Sequence, residues 1–367
     1  MQHAKLSPSS SSRWLTCTAS VEASKAYENK GNAASQWGTA CHALGELSLK
    51  GQQIDCIKNI EGVDVDKEMI DTAEEYADYC RALMPPSSVV LIEERFDLSF
   101  IAPDTFGTGD FSVLNDKHLH IVDLKTGHGI VHAKENTQLM LYALGAIHEL
   151  EDIFDIETVT LHIAQGRANH YDMWETTYEE LMEFQDFAKE QAGRILSGDT
   201  TFSPEKKACQ WCPHQHNCEA LRIHVDNIVT GDFDDLEELE GNADKVSTDH
   251  MKKILDNADL ILGFVKAVQQ VALERMEAGE KIDGYKLVES KTNRKWADES
   301  EVEKLLKGKD IYGEPKLKPM TKLLKEFGKE FELEELLVKP EGKPTIAPES
   351  DKRPEIGAVC EDFDDLS

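Results

Sequence analysis

Between residues 66 and 196 the chain switches repeatedly between two hydrophobic rhythms, one helical in period and one alternating or nearly continuous. "DKEMIDTAEEYADYCRALM" (66–84) has helical spacing and is stopped by Pro85 and Pro86. "SVVLIEERFDLSF" (88–100) is rich in β-formers, and "FGTGDFSVLNDKHLHIVDLKTG" (106–127) predicts two strands around a short polar turn. "ENTQLMLYALGAIHEL" (135–150) predicts an amphipathic helix, with Leu139, Tyr142, Ala143, Ala146, Ile147 and Leu150 on one stripe. "TVTLHIAQ" (158–165) predicts a further strand and "YEELMEFQDFAKEQAGRIL" (178–196) a further helix. Upstream, a Ser-rich lead runs into helical pattern around "TACHALGELSLK" (39–50). Downstream, residues 249–279 predict one long helix and "GYKLVES" (284–290) a strand. The order α, β-β-β, α, β predicts a mixed α/β core with helical additions.

Composition narrows this picture. The 367 residues are 40% hydrophobic and 30% charged, enough for one large elaborated domain or two modest ones. No apolar run approaches a membrane span, and "MQHAKLSPSSSSRW" lacks the apolar stretch of a secretory signal. The expectation is a soluble cytoplasmic protein with no membrane partner, whose eight cysteines stay reduced. A net charge of −30 excludes nucleic acid wrapped over the whole surface. It leaves room for a local basic groove, because the acid is uneven. "DFDDLEELEGNAD" (232–244) holds seven acids and no base, whereas residues 304–329 are lysine-rich.

The candidate chemistry begins on the central hairpin. In "HLHIVDLK", alternation sends Leu119, Ile121, Asp123 and Lys125 to one face. A turn at Asp116 and Lys117 sets Asp110 directly opposite Asp123. Two facing carboxylates repel unless a cation lies between them, and hard oxygen ligands suit Mg²⁺ or Mn²⁺. Lys125 overhangs the same spot, placed to orient or deprotonate a water or to offset phosphate charge. A solvated Asp–Lys pair is the plain alternative for "DLK" taken alone.

Together, "GTGD", "VDLKTG", "NTQLMLYALG" and the upstream "GTACHALGE" resemble the RecB-type branch of the PD-(D/E)XK nuclease superfamily. The resemblance implies a restriction-endonuclease-like α/β core and metal ligation by His42, Asp110, Asp123 and the Leu124 carbonyl. It implies a catalytic Lys125, with Gln138 and Tyr142 matching the branch's "QxxxY" helix. Glu93, on the preceding strand, matches an acidic position of the branch and is a further candidate ligand. The superfamily's usual proline has no counterpart beside Asp110.

"CQWCPHQHNC" (209–218) adds Cys209, Cys212 and Cys218 in C-x2-C-x5-C spacing, one thiolate short of a four-sulfur site. The iron–sulfur branch of these nucleases, which includes AddB-like and CRISPR-adaptation proteins, has one cysteine before the core and this triplet after it. The resemblance therefore implies a [4Fe–4S] cluster held by Cys17, Cys209, Cys212 and Cys218. Its role would be a staple closing a loop of nearly 200 residues, worth roughly 4–5 kcal/mol in the chain-entropy picture. The alternative is Zn²⁺ on the triplet with His214 or His216.

The whole chain resembles a phage and prophage family of nuclease-like proteins sharing "GYKLVESKTNRKW" and an ending like "GKPTIAPESDKRP". That implies a metal-dependent deoxyribonuclease, expected to be an exonuclease, in phage DNA replication or recombination in the bacterial cytoplasm. The competing reading is a catalytically silent DNA-binding or scaffold protein on the same fold. Arg294, Lys295 and Trp296 offer charge and a stacking plane to single-stranded DNA. The expected organisation is a nuclease core with its cluster over 1–225, an acidic linker over 226–248, a helix/strand region over 249–338 and a disordered acidic tail over 339–367. The terminal "EDFDDLS" is similar to tails of single-strand-binding proteins, which suggests DNA mimicry or docking of a phage single-strand-binding or replication protein.

Overall fold

The computed structural model describes residues 4–27, 31–230, 248–291 and 294–307, with shorter stretches up to residue 356. The acidic run 232–244, most of the lysine-rich 304–329 stretch and the terminal "EDFDDLS" lie outside the described residues. The chain divides into two compact units, 1–264 and 265–367.

The first unit is built on a five-stranded mixed sheet flanked by helices. Its strands are β1 (Val89–Asp97), β2 (Phe106–Asn115), β3 (His118–Leu124), β4 (Thr158–Gln165) and β5 (His170–Thr177), and they lie side by side in that order. Neighbours are antiparallel except β3 and β4, which run parallel. A parallel pair needs a crossover, and here the crossing element is α3 (Thr137–Leu150). Helices α1 (Ala33–Leu49) and α2 (Lys67–Ala82) pack one core, where Cys41, Leu44, Met69 and Tyr76 meet Phe111, Val113, Val122 and Leu124. Helices α3 and α4 (Tyr178–Leu196) pack the other, where Leu139, Leu181 and Ala188 join Phe96, Leu119 and Ile121. A sheet covered on both faces reads as a continuous apolar run, which is how residues 110–114 and 121–124 come to be buried throughout.

The hairpin forms in the expected register. Pairs run from Asn115↔His118 to Phe111↔Val122, turning on Asp116 and Lys117. "DK" is poor turn chemistry, but Asp116 takes φ 55°, a region aspartate tolerates. Lys117 is then held by Asp155 at 2.6 Å and by Glu157, and its carbonyl accepts the Glu157 N–H at 2.9 Å. Tertiary anchors thus supply what the turn sequence lacks.

Four expectations change. Helix α3 is not amphipathic, for ten of its fourteen residues are buried and it is a core helix between sheet and α4. Strand β5 was not predicted. The long helix over 249–279 is two, α6 (Thr248–Asp256) and α7 (Ala258–Glu277), interrupted at Asn257, whose amide donates to the Lys253 carbonyl at 2.9 Å. Part of the expected disordered tail is paired: residues Pro344–Pro348 form an antiparallel ladder with β6 (Tyr285–Glu289). Helix α5 (Glu219–Thr230) packs through Leu221 and Val225 on Leu260, Ile261 and Phe264. Among the described residues no helix is long and apolar enough to cross a membrane.

Helix α3 lies close on β1 because Gly145 has no side chain. A Cβ there would stand 2.4 Å from the Cβ of Phe96, an atom fixed to the strand backbone. Alanine would regain up to about 1 kcal/mol of helix propensity, against an overpacking cost of about 1–3 kcal/mol or more. Rotation of the Phe96 ring cannot relieve the contact. Gly145→Ala should therefore lower the free energy of unfolding, by up to about 2 kcal/mol, in chemical denaturation; a raised value would contradict this packing.

Candidate functional site

The site sits where the sheet ladders stop. Between β1 and β2, pairing runs to Ile92↔Phe111 and resumes at Glu94↔Gly109, leaving Glu93 facing Asp110 without a ladder pair. Glu93 has φ 51°, the left-handed region, in mid-strand. Such a conformation in a non-glycine costs on the order of 1–3 kcal/mol and is retained where the surroundings enforce it. Between β2 and β3 the ladder ends at Phe111↔Val122, so that the same register sets Asp110 against Asp123.

Asp110 is buried and fully engaged. Its Oδ2 accepts the Leu124 N–H at 2.7 Å, and its Oδ1 lies 3.3 Å from His42 Nδ1. Burial alone would raise its pKa, but the charge and hydrogen bond of His42, with Lys125 and the Leu124 N–H, hold it below the ordinary carboxylate value. Asp123 moves the other way: burial and the Asp110 charge push it up against the pull of Lys125. His42 is brought to about 9, because Asp110, Asp123 and Glu93 outweigh a desolvation that opposes protonation. Glu93 is pushed to about 8 by burial and by Asp110. Four acid–base groups thus share one small, electronegative space.

Donor atoms of His42, Glu93 and Asp110 all lie within 4.8 Å of one another. Asp123, expected as a primary ligand, stands outside that group. Its Oδ2 is 2.7 Å from Lys125 Nζ and its Oδ1 accepts from Gln138 Nε2 at 3.2 Å. The lysine is simply the nearest counter-charge. Among the described residues that ammonium is the partner of Oδ2. Glu93, a secondary candidate from sequence, therefore joins the central group, while Asp123 offers a buried oxygen beside it. Leu124 is fixed through its N–H by Asp110.

Gln138 links the catalytic candidates. Its Oε1 accepts from Lys125 Nζ at 3.0 Å, and its Nε2 donates to Asp123 and, at 3.0 Å, to the Tyr142 hydroxyl. The one-turn spacing puts Gln138 and Tyr142 on the same helix face, and Asn136 caps that helix by accepting the Gln138 and Leu139 N–H groups. Tyr142 lies against β2 because Gly107 lacks a Cβ, which would meet its ring at 2.8 Å. Sequence reasoning did not find Gln165. Fully buried, it donates to the Gly127 and Gly129 carbonyls at 2.7 and 2.8 Å and accepts from Val131, pinning the segment between Lys125 and α3. Its only sequence signal is a polar residue closing an apolar strand.

The cysteines form a second centre. Cys17, Cys209, Cys212 and Cys218 line one cavity with Phe202, Pro204, His214 and Leu221. The two ends meet through the backbone as well, since the Thr201 carbonyl accepts from Ala19 N and Thr18 Oγ1, both at 3.3 Å. Backbone N–H groups of Ser203 and Leu221 point at the sulfurs of Cys17 and Cys218 at 3.5 and 3.4 Å. Burial pushes the Cys209 thiol up to about 12, and raises Cys212 and Cys218 too. His214 is held at Nδ1 by the Tyr27 hydroxyl at 3.1 Å, and His216 packs edge-on to the same ring.

In the second unit, Arg294 is exposed, but Trp296 is 9% exposed and lies in a short strand paired with Leu337–Val338. Its indole is packed, not presented, which corrects its expected role as a stacking platform. Nothing is described of the Lys295 side chain beyond its place in that strand.

The family model described as "Protein of unknown function (DUF2800)" matches residues 3–354. The chain belongs to that family. Among solved structures, one titled "Crystal structure of SSO0001" matches at 9% identity over 53% of this chain and 91% of that chain. Its TM-score of 0.23 is too low to carry an argument.

For both His42 and Glu93 the folded-state pKa is raised above the ordinary value, 6.5 for the histidine and 4.5 for the glutamate. Each therefore stabilises the fold fully below its ordinary value, and that contribution is lost as pH rises through about 8 for Glu93 and about 9 for His42. Asp110, depressed, contributes its stability throughout this window and loses it only as pH falls below the ordinary carboxylate range. A divalent ion bound among these groups would have to displace the same protons. Mn²⁺ affinity should accordingly tighten between about ten- and a hundredfold per pH unit from neutrality to about pH 8, for one to two protons released. Calorimetry in buffers of different ionisation enthalpy measures this; a pH-independent affinity would contradict it.

Proposed function

We propose that this member of the DUF2800 family is a metal-dependent deoxyribonuclease with a PD-(D/E)XK core of the RecB-like, iron–sulfur type. The observation that carries the reading is the meeting of His42, Glu93, Asp110, Asp123, Lys125, Gln138 and Tyr142 at one buried end of the sheet. They come from α1, β1, β2, β3 and α3, the elements the sequence resemblance assigns them to.

The donor set fits a hard divalent cation. It offers one imidazole nitrogen, carboxylate oxygens from Glu93 and Asp110, and Asp123 Oδ2, paired with Lys125. When bound, Mg²⁺ or Mn²⁺ supplies Lewis acidity and a water of lowered pKa. The protein's residues do the rest. Lys125 keeps its proton at neutral pH: burial opposes the charge, but Asp123 and Asp110 outweigh it. It thus serves as a fixed cation offsetting charge on the phosphate, in preference to a base. Gln138 holds that ammonium and Asp123 at once, so the cation cannot drift from the reacting phosphate. His42 keeps 31% of its side-chain surface exposed and Lys125 25%, which marks the open side of the set, while Asp110 and Asp123 are buried.

The cysteine centre fits a [4Fe–4S] cluster better than one zinc ion. All four thiols line the cavity, whereas His214, which also borders it, has its Nδ1 engaged by the Tyr27 hydroxyl. A tetrahedral zinc at about 2.3 Å from each sulfur sets the sulfurs roughly 3.8 Å apart. Among the described residues, the donor groups that close to within 4.8 Å of one another include no cysteine. Bound there, the cluster acts as a staple between residues near 17 and near 209, outside the sheet and its acid pocket.

Anaerobically purified protein should cleave end-labelled single- or double-stranded DNA only with Mg²⁺ or Mn²⁺. Lys125→Met, which keeps the aliphatic stem, should lower the rate at least about a hundredfold, the usual loss on removing one preorganised charge-stabilising group. Cleavage without divalent ions, or full activity in that variant, would refute the assignment. The same protein should be brown, with about four iron atoms and four sulfides per chain, and Cys17→Ser should lose the iron. A colourless protein carrying a zinc that is lost in Cys209→Ser would replace the cluster by the zinc site.

A further inference from the structure

Away from the acid pocket, one imidazole on the segment after Lys125 and an imidazole–carboxylate pair on β5 face one another. His170 and Asp172 are two residues apart on the strand and so share a face. Donor atoms of His132, His170 and Asp172 all lie within 4.8 Å of one another, with His132 Nδ1 at 3.3 Å from Asp172 Oδ2. The rings of His132 and His170 meet edge to face, with centroids 5.6 Å apart.

The surroundings of these groups have the form of an outer ligand shell. His170 Nε2 contacts the Val131 carbonyl at 2.9 Å. A carbonyl only accepts, so Nε2 carries the proton and Nδ1 keeps its lone pair. Ligating histidines are oriented in this way, through the nitrogen opposite the metal. Asp172 Oδ2 accepts the Ala133 N–H at 2.9 Å, which, with His132, holds the carboxyl below its ordinary value. The Val131 peptide is gripped twice, its N–H by Gln165 and its carbonyl by His170. His132 keeps 72% of its side-chain surface exposed and Asp172 31%, which provides an entry path.

We propose that His132, His170 and Asp172 form a second metal site, specific for a borderline transition ion, with Zn²⁺ as the ligand. Two imidazoles and one carboxylate are the donor set that zinc takes with three protein ligands and an open position. Imidazole-rich sites disfavour Mg²⁺, which prefers oxygen. The two sites of the chain therefore sort by ion. The second site's position defines what it does. The His132 carbonyl accepts from Asn136 Nδ2 at 3.0 Å, and Asn136 caps the helix that carries Gln138 and Tyr142. Zinc ties this connection to β5 and braces the cap, so it governs the order of the segment that joins Lys125 to Gln138.

The test compares full-length wild-type protein with His132→Ala and Asp172→Asn, prepared identically and dialysed against Zn²⁺. Asparagine keeps an oxygen for the Ala133 N–H, so that variant holds the local fold. Each variant should bind less zinc than wild type, by up to one ion per chain, at a zinc concentration that only just saturates the wild type. Residual affinity should be weaker by at least about tenfold, since disturbing even an outer-shell partner costs that much. Zinc should slow amide exchange across residues 130–136 in wild type and not in the variants. Equal zinc content in all three proteins, or exchange in that segment indifferent to zinc, would overturn the proposal. An Asp110→Ala background leaves the expected difference intact, so failure of the acid pocket and failure of this site give separate results.

Discussion

Three carboxylates crowd the buried end of a β-sheet, and the rest of the first unit is arranged so that they remain there. Unpaired, Glu93, Asp110 and Asp123 would repel and desolvate at a cost that a marginally stable domain cannot absorb. The fold answers with local compensation. His42 and the Leu124 N–H hold Asp110, and Lys125 and Gln138 hold Asp123. Glu93 keeps its place only through a left-handed backbone in mid-strand and a carboxyl pushed to about 8. A non-glycine residue at φ 51° in a strand is an observed outlier, and the most economical account of it is that its side chain is needed where it points.

The architecture explains why the cost falls at this end. The two antiparallel ladders lapse at the same level, Glu93 against Asp110 and Asp110 against Asp123. The parallel step from β3 to β4 sends the chain out through the segment after Lys125 and back along α3, whose first turn returns Gln138 to the strand end it left. Opposite, α1 delivers His42. Each element contributes one or two side chains, and the double-layered core behind them fixes their separation. The cysteine centre is built on the same logic at a distance: backbone hydrogen bonds at Thr201 already bring residues 17–19 to the post-α4 segment, and a cross-link there would lock the arrangement.

Much of this was legible in the sequence because it rests on period and spacing. The hairpin register followed from alternation around Asp116 and Lys117, and the grouping of Cys17 with the distal triplet follows in the structure as the resemblance implied. What escaped was set by tertiary context. Strand β5 was missed because its inward positions are His170, Asp172, Trp174 and Thr176, half-buried and mostly polar, with Tyr171 and Met173 facing out. That inversion of the usual alternation is what left two metal-capable side chains on its inner face. The stripe on α3 was real but understated, since period alone does not distinguish a helix covered on one side from one covered on nearly all. Glu93's backbone had no signal, as nothing in "IEERF" calls for a left-handed residue. Trp296, read as a stacking plane from its basic neighbours, is a packed indole, and the exposure of a side chain is the property a local sequence reports least.

The most direct test of the acid pocket is anomalous scattering from a crystal soaked in Mn²⁺. The account predicts a peak bounded by His42, Glu93 and Asp110, with Asp123 turned from Lys125 toward the ion. A crystal with no manganese at that position, and with Asp110 and Asp123 directed to opposite faces of the sheet, would contradict it.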